Sequence, residues 1–191
     1  MGRHEVKGPA PDRLFAISTA YIALQAEHQI EPAGKAAIVF QALATSEFEA
    51  TLHEMEEVVT ATGSESATTV STEDDNYGYR WMVLQNPAGT PSVEDLAVGI
   101  NAVSSSIETA GHGERLLCAV FAFLDSRKQR VYFIYNYKRG YWYPFVPVGD
   151  PTHPTSERST ERELQLKAQM SSELPIEPEL ERWFPLWGIP I

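Results

Sequence analysis

Residues 131–147 read "VYFIYNYKRGYWYPFVP", two runs of strand-forming residues around one basic turn. A two-residue Arg139-Gly140 loop of type I′ would force Arg139 to positive φ, which a long side chain resists. A three-residue loop, Lys138-Arg139-Gly140, instead places Gly140 at the left-handed bulge position that glycine favours. That loop predicts the pairs Tyr137 with Tyr141, Tyr135 with Tyr143, and Phe133 with Phe145, so that six rings share one sheet face. Pro144 has no ladder donor, so the second strand is expected at a sheet edge. The opposite face would carry Tyr132, Ile134, Asn136, Trp142 and Val146. Both faces are largely apolar and need cover. Helices are expected over one. The tyrosine face is either a groove wall or interface, where tyrosine and tryptophan are enriched, or is sealed by the apolar tail with Trp183, Phe184, Leu186 and Trp187.

Working outward, "RLLCAVFAFLD" at 115–125 is almost continuously apolar, as a central strand requires. Ser92, three residues before Asp95, caps a helix with the stripe Leu96, Ile100, Val103 and Ile107. "TTVSTEDDNYGYRWMVLQ" predicts a hairpin over 67–73 and 77–86 that turns at Asp74–Gly78. The helix before it has capping-box spacing at Ser46 and Glu49, and Phe48, Leu52, Met55 and Val59 line one side. "GKAAIVFQAL" reads as a short buried strand. From Pro11 to about Gln29, Leu14, Ile17, Tyr21 and Leu24 recur at helical spacing, widened by Phe15 and Ile22. A last helix is expected at about 160–172. The predicted order is α-β-α-β-β-α-β-β-β-α. This is an α+β domain over 11–191, with an antiparallel or mixed sheet of about six strands, helices on one face, and a C-terminal helix and apolar tail. Residues 1–10 read as a flexible lead. Helix-hairpin units at about 46–86 and 92–137 have similar dimensions, which is compatible with a pseudo-duplication.

The chain has 191 residues, enough for one well-buried domain. Its 43% hydrophobic content is that of a folded protein. No stretch approaches the roughly 18–20 apolar residues that span a bilayer, and the start "MGRHEVKGPAP" lacks the apolar core of a secretory signal. One cysteine, Cys118, excludes an internal disulfide framework and fits a reducing cytoplasm. The formal charge of −11 argues against nucleic acid or an anionic membrane as partner. That charge is uneven. Nine acids and no Lys or Arg lie between Lys35 and Arg80; five bases and no acid lie between Asp125 and Asp150. Either these segments face each other, or one faces a partner. Glu54, Glu56 and Glu57 approach the negative end of their helix with no nearby lysine, a placement that makes sense if basic groups come from elsewhere.

Chemical signatures are absent from the sequence. "HEMEE" at 53–57 lacks the second histidine of a zinc-protease helix, since position 57 is Glu57. "HGE" at 112–114 is not followed by the Pro-Cys-x-x-Cys of zinc deaminases. "EDDNYG" misplaces the ligands or the glycine of a calcium loop and reads as a solvated turn. Cys118, within an apolar strand, reads as a buried, inert thiol. No cofactor, metal or catalytic residue is expected.

Taken together, "PDRLFAISTAYIALQAE", "GKAAIVF", "DDNYGYRWMVL", "VYFIYNYKRGYWYPFVP" and "ELERWFPLWGIP" resemble the PspA-associated proteins of the PspAB type, in the same order from about residue 11 to the end. The resemblance implies a role beside a coiled-coil, membrane-associated stress protein, the phage-shock-protein A homologue. The polar start departs from that pattern and argues against direct membrane contact through this end. The expected role is thus a non-catalytic cytoplasmic partner in an envelope-stress system, bound to a PspA-like coiled coil. Its candidate contact residues are Glu54, Glu56, Glu57, Tyr135, Tyr137, Lys138, Arg139, Tyr141, Tyr143, Trp183 and Trp187. The alternative is a small-molecule binder or enzyme with a pocket beneath the hairpin, where Tyr135, Tyr143 and Arg139 would be the polar groups. Homodimerisation through the edge strand is a third option.

Overall fold

The computed structural model describes residues 11–62, 67–150 and 157–191, so the expected lead at 1–10 lies outside the described residues. Strands β1 (Glu31–Gln41), β2 (Thr69–Asp74), β3 (Tyr79–Gln85), β4 (Leu116–Leu124), β5 (Arg130–Asn136) and β6 (Tyr141–Phe145) form one antiparallel sheet ordered β2-β3-β1-β4-β5-β6. Helices α1 (Pro11–Phe15), α2 (Ile17–His28), α3 (Ser46–Thr62), α4 (Val93–Thr109) and α5 (Thr160–Met170) complete it. The α+β single-domain expectation holds, strand for strand.

The topology follows from the connections. Because β3 lies between β1 and β2, the crossover through α3 joins parallel strands separated by one neighbour. The crossover through α4 joins β3 to β4 across β1 in the same way. Two interleaved split β-α-β units give the β-α-β-β-α-β order of ferredoxin-like folds, extended by β5 and β6. The two helix-hairpin units read from the sequence therefore flank β1, one on each side.

Alternation along each strand divides the side chains between two cores. Ile38, Met82, Phe121, Phe133 and Trp142 face the helices. The stripe Phe48, Leu52, Met55 and Val59 of α3, and the stripe Leu96, Ile100, Val103 and Ile107 of α4, are buried on that side. Ser92 caps α4, its hydroxyl accepting from Asp95 N at 3.2 Å. For α3 the cap is Thr45 rather than Ser46: Thr45 Oγ1 accepts from Phe48 N at 3.2 Å. Glu49 is thereby released to bind Arg80 at 2.8 Å. The first helix breaks after Phe15, and Ile22, expected within its apolar stripe, is exposed.

The second face carries Val39, Trp81, Val83, Val120, Tyr132, Ile134 and Phe145. No helix covers it. The tail does, through Trp183, Ile189 and Ile191, with Leu186 and Trp187 packed alongside. The edge position expected for β6 holds, and its outer side is capped. Trp142 N donates to Pro175 O at 2.8 Å, Glu177 N donates to Trp142 O at 2.8 Å, and Val146 N donates to Glu163 Oε2 at 2.9 Å. Those partners satisfy groups that an unprotected edge would offer to another chain.

Candidate functional site

The β5–β6 turn differs from the expected one by a single residue, and the difference redistributes every ring. Gly140 does adopt the left-handed conformation, at φ +70°. The loop, however, has four residues, Tyr137–Gly140, closed by Asn136 against Tyr141. Asn136 causes this. Its Oδ1 accepts from Lys138 N at 3.0 Å and Arg139 N at 3.3 Å, while its carbonyl accepts from Gly140 N at 2.8 Å. The observed pairs are Tyr135 with Trp142, Ile134 with Tyr143, Phe133 with Pro144, and Tyr132 with Phe145. Since strand side chains alternate, the one-residue slip sends β6 to opposite faces from those expected.

The single face of six rings is therefore not formed. Tyr135 and Tyr137 are buried under the helices beside Trp142. Tyr143 is buried under the tail, stacked on Trp183 with centroids 6.3 Å apart, and its hydroxyl donates to Phe184 O at 2.9 Å. Trp183 is itself buried, its indole donating to Glu177 O at 3.0 Å. Trp187 is half-buried, edge-on to Phe145. Burial pushes the hydroxyls of Tyr135, Tyr137 and Tyr143 up from their ordinary range. Tyr135 and Tyr143 lie on opposite faces of the sheet, so they do not converge beneath this hairpin as the small-molecule alternative expected. Cys118 is buried, and its thiol is pushed up to about 12, as an inert core cysteine would be.

Of the two cations of the turn, Arg139 is committed within the chain. Arg139 binds Glu177 with two bonds of 2.9 and 2.8 Å, and Glu179 lies 3.5 Å away. The guanidinia of Arg13 and Arg139 lie 5.1 and 5.8 Å from the ring centroid of half-buried Tyr141, while Lys138 is exposed. Arg139 of the basic segment thus pairs with the tail. The acidic segment draws on Arg80, which joins Glu49 to Asp74. The Arg139 guanidinium, opposed by burial, holds the Glu177 carboxyl below its ordinary value near 4.5. The native state therefore binds fewer protons than the unfolded chain in that region. The resulting stability is present above about pH 4.5 and lost as pH falls through the depressed native value. In urea unfolding, the stability gap between the wild type and Glu177→Gln is expected to shrink steadily on acidification from pH 6 to pH 3.

The α3 surface is open, as expected. Glu54 and Glu57 are exposed and Glu56 is half-buried. The last turn of α3 has no basic residue, and the only ion pair of these three carboxylates among the described residues joins Glu57 to His53 at 3.4 Å. Beside them, a groove of about 400 Å³ between α3 and α4 is lined by Thr51, Glu54, Met55, Val58, Ser105 and Thr109. Val58 is 52% exposed there.

A further cleft, not foreseen from the sequence, opens where the β2–β3 turn meets the tail. Asp75 organises that turn. Its Oδ1 accepts from Tyr77 N and Tyr79 N at 2.8 and 3.0 Å, and its Oδ2 accepts from Trp81 Nε1 at 3.0 Å. An aspartate followed at two and four residues by the chain turning back is a sequence signal for this motif. The partner wall, Pro185–Trp187, has no such local signal.

A family model described as PspAB, PspA associated protein B, matches residues 1–191. No curated protein matches, and no solved structure matches.

Proposed function

The chain belongs to the PspA associated protein B family, and from that membership we propose that it is a non-catalytic, cytoplasmic binding partner of a PspA-type coiled-coil protein in an envelope-stress system. The contact is assigned to the outer side of α3. The observation that carries this reading is the placement of Glu54, Glu56 and Glu57. They stand in the middle and second half of α3 without a lysine or arginine partner among the described residues, beside a groove that leaves Val58 exposed. Repulsion between Glu54 and Glu57, three residues apart on the same helix, disfavours that arrangement in the isolated protein. A basic partner helix would relieve that repulsion, and the Met55–Val58 groove would take an apolar side chain beside it.

The test is the triple charge reversal Glu54→Lys/Glu56→Lys/Glu57→Lys. Its melting temperature is expected to stay level, because Glu54 and Glu57 are exposed and none of the three has a lysine or arginine partner among the described residues. Retention of the PspA-type protein in a pull-down is expected to fall at least about tenfold, and wild-type retention should weaken with added salt. Unchanged retention removes the acidic helix from the interface.

A further inference from the structure

The cleft at the β2–β3 turn consists of a trough and a well that share one wall. The trough, about 330 Å³, runs over Val39, Tyr79 and Leu117 and is closed by Leu186. The well, about 300 Å³, is bounded by Glu73, Asp74 and Asp75. Asp75, Tyr77, Trp81 and Trp187 belong to both. We propose that this cleft binds an alkylammonium group carried on an apolar chain, the chemistry of a free alkylamine or of a lysine side chain. This goes beyond the α3 reading and does not depend on it, since α3 packs on the other face of the sheet.

Shape, ring content and charge agree on that ligand. The trough is aliphatic and aromatic and accepts a hydrocarbon chain. Exposed Tyr77 from the turn and half-buried Trp187 from the tail line both trough and well, and aromatic rings attract organic cations. Every charged side chain lining the cleft is acidic. Arg80 neutralises Asp74 through bonds of 2.7 and 3.2 Å. Asp75 is fixed by three N–H donors of its own hairpin but meets no cation, and Glu73 has no ion-pair partner among the described residues. Three carboxylates thus face one guanidinium, and the well carries net negative charge. An anionic ligand would meet no basic side chain on its walls. A metal ion fits poorly as well, since no group of three His, Cys, Asp or Glu among the described residues is arranged to hold one. Tyr77, at the tip of the turn, is 72% exposed. A turn tip rarely carries so large a ring for local reasons, and here it overhangs the shared wall.

n-Hexylammonium, n-hexanol and hexanoate, titrated against the full chain and read at the indole N–H signals of Trp81 and Trp187, separate charge from hydrophobicity. Hexylammonium is expected to saturate both signals at roughly tenfold lower concentration than hexanol, with hexanoate weakest. Glu73→Gln/Tyr77→Ala, two exposed positions, should weaken hexylammonium about fivefold at an unchanged melting temperature. A second arm uses the blocked dipeptide Nα-acetyl-lysyl-leucine amide. Binding at least as tight as hexylammonium assigns the site to a polypeptide lysine; much weaker binding assigns it to a free amine. Equal response to the three hexyl probes, or no indole shift with hexylammonium through the millimolar range, overturns the proposal. A failed α3 charge reversal would leave these titrations unchanged, so the two readings fail separately.

Discussion

Trp142→Ala is expected to destabilise the protein by about 3–5 kcal/mol, the range for removing a large buried aromatic side chain. Trp142 is 0% exposed and lies against Phe121 and Tyr135, with ring centroids 5.7 and 5.2 Å away. Its indole N–H donates to Arg13 O at 2.7 Å, tying β6 to α1, while its main chain pairs with Pro175 and Glu177. One residue therefore joins the first helix, the sheet and the tail. Trp142→Phe keeps the ladder and most of the volume but leaves the Arg13 carbonyl without its donor, at a cost of about 1–2 kcal/mol. Urea unfolding followed by far-UV circular dichroism distinguishes the two variants. A loss below about 1 kcal/mol for the alanine variant would mean that the edge strand contributes little to the cooperative unit.

How far sequence leads to structure can be seen in this same hairpin. Both strands, the edge position of Pro144 and the left-handed Gly140 follow from local chemistry and were legible. The register was not: neither the two-residue nor the three-residue loop forms, because Asn136 closes a four-residue one. Its side chain accepts from Lys138 N and Arg139 N and draws Tyr137 into the loop. A one-residue error in a strand costs nothing in strand assignment and everything in face assignment. The stripes of α3 and α4 were legible because helical periodicity reports burial directly. That the apolar tail could seal a sheet face was legible, but which rings it covers depends on contacts such as Tyr143 Oη to Phe184 O, 41 residues apart.

The candidate surfaces divide along the same line. Exposure of Glu54 and Glu57 follows from their position opposite the apolar stripe of α3, so the acidic surface could be read from sequence alone. The cleft could not. Its acidic wall comes from the β2–β3 turn and its apolar wall from residues 185–187, brought together only after the tail crosses the sheet. The "EDDNYG" turn was read as solvated because its acids suit no metal loop. In the structure it is also one side of a ring-lined depression.

Glu163→Ala is expected to cost about 3–5 kcal/mol, for a reason different from lost packing. The Glu163 side chain is 2% exposed and the Arg158 side chain 21%. Arg158 Nε donates to both carboxylate oxygens at 2.9 and 3.0 Å, and its Nη1 donates to Trp183 O at 2.8 Å. Removing the carboxylate strands a partly buried guanidinium, and it leaves Val146 N on the outer side of the edge without its acceptor. Burial raises the Glu163 carboxyl above its ordinary value despite the arginine beside it. Between the ordinary and the raised value the native state binds more protons than the unfolded chain. Stability from this group therefore falls as pH rises through that window, the reverse of Glu177. The same desolvation means that the intact pair adds little net stability even though breaking it is costly. Arg158→Met/Glu163→Leu should accordingly lose markedly less than Glu163→Ala alone in urea unfolding. Equal losses for the single and double variants would show that the cost arises from Val146 N, which loses its acceptor in both, and not from an uncompensated charge.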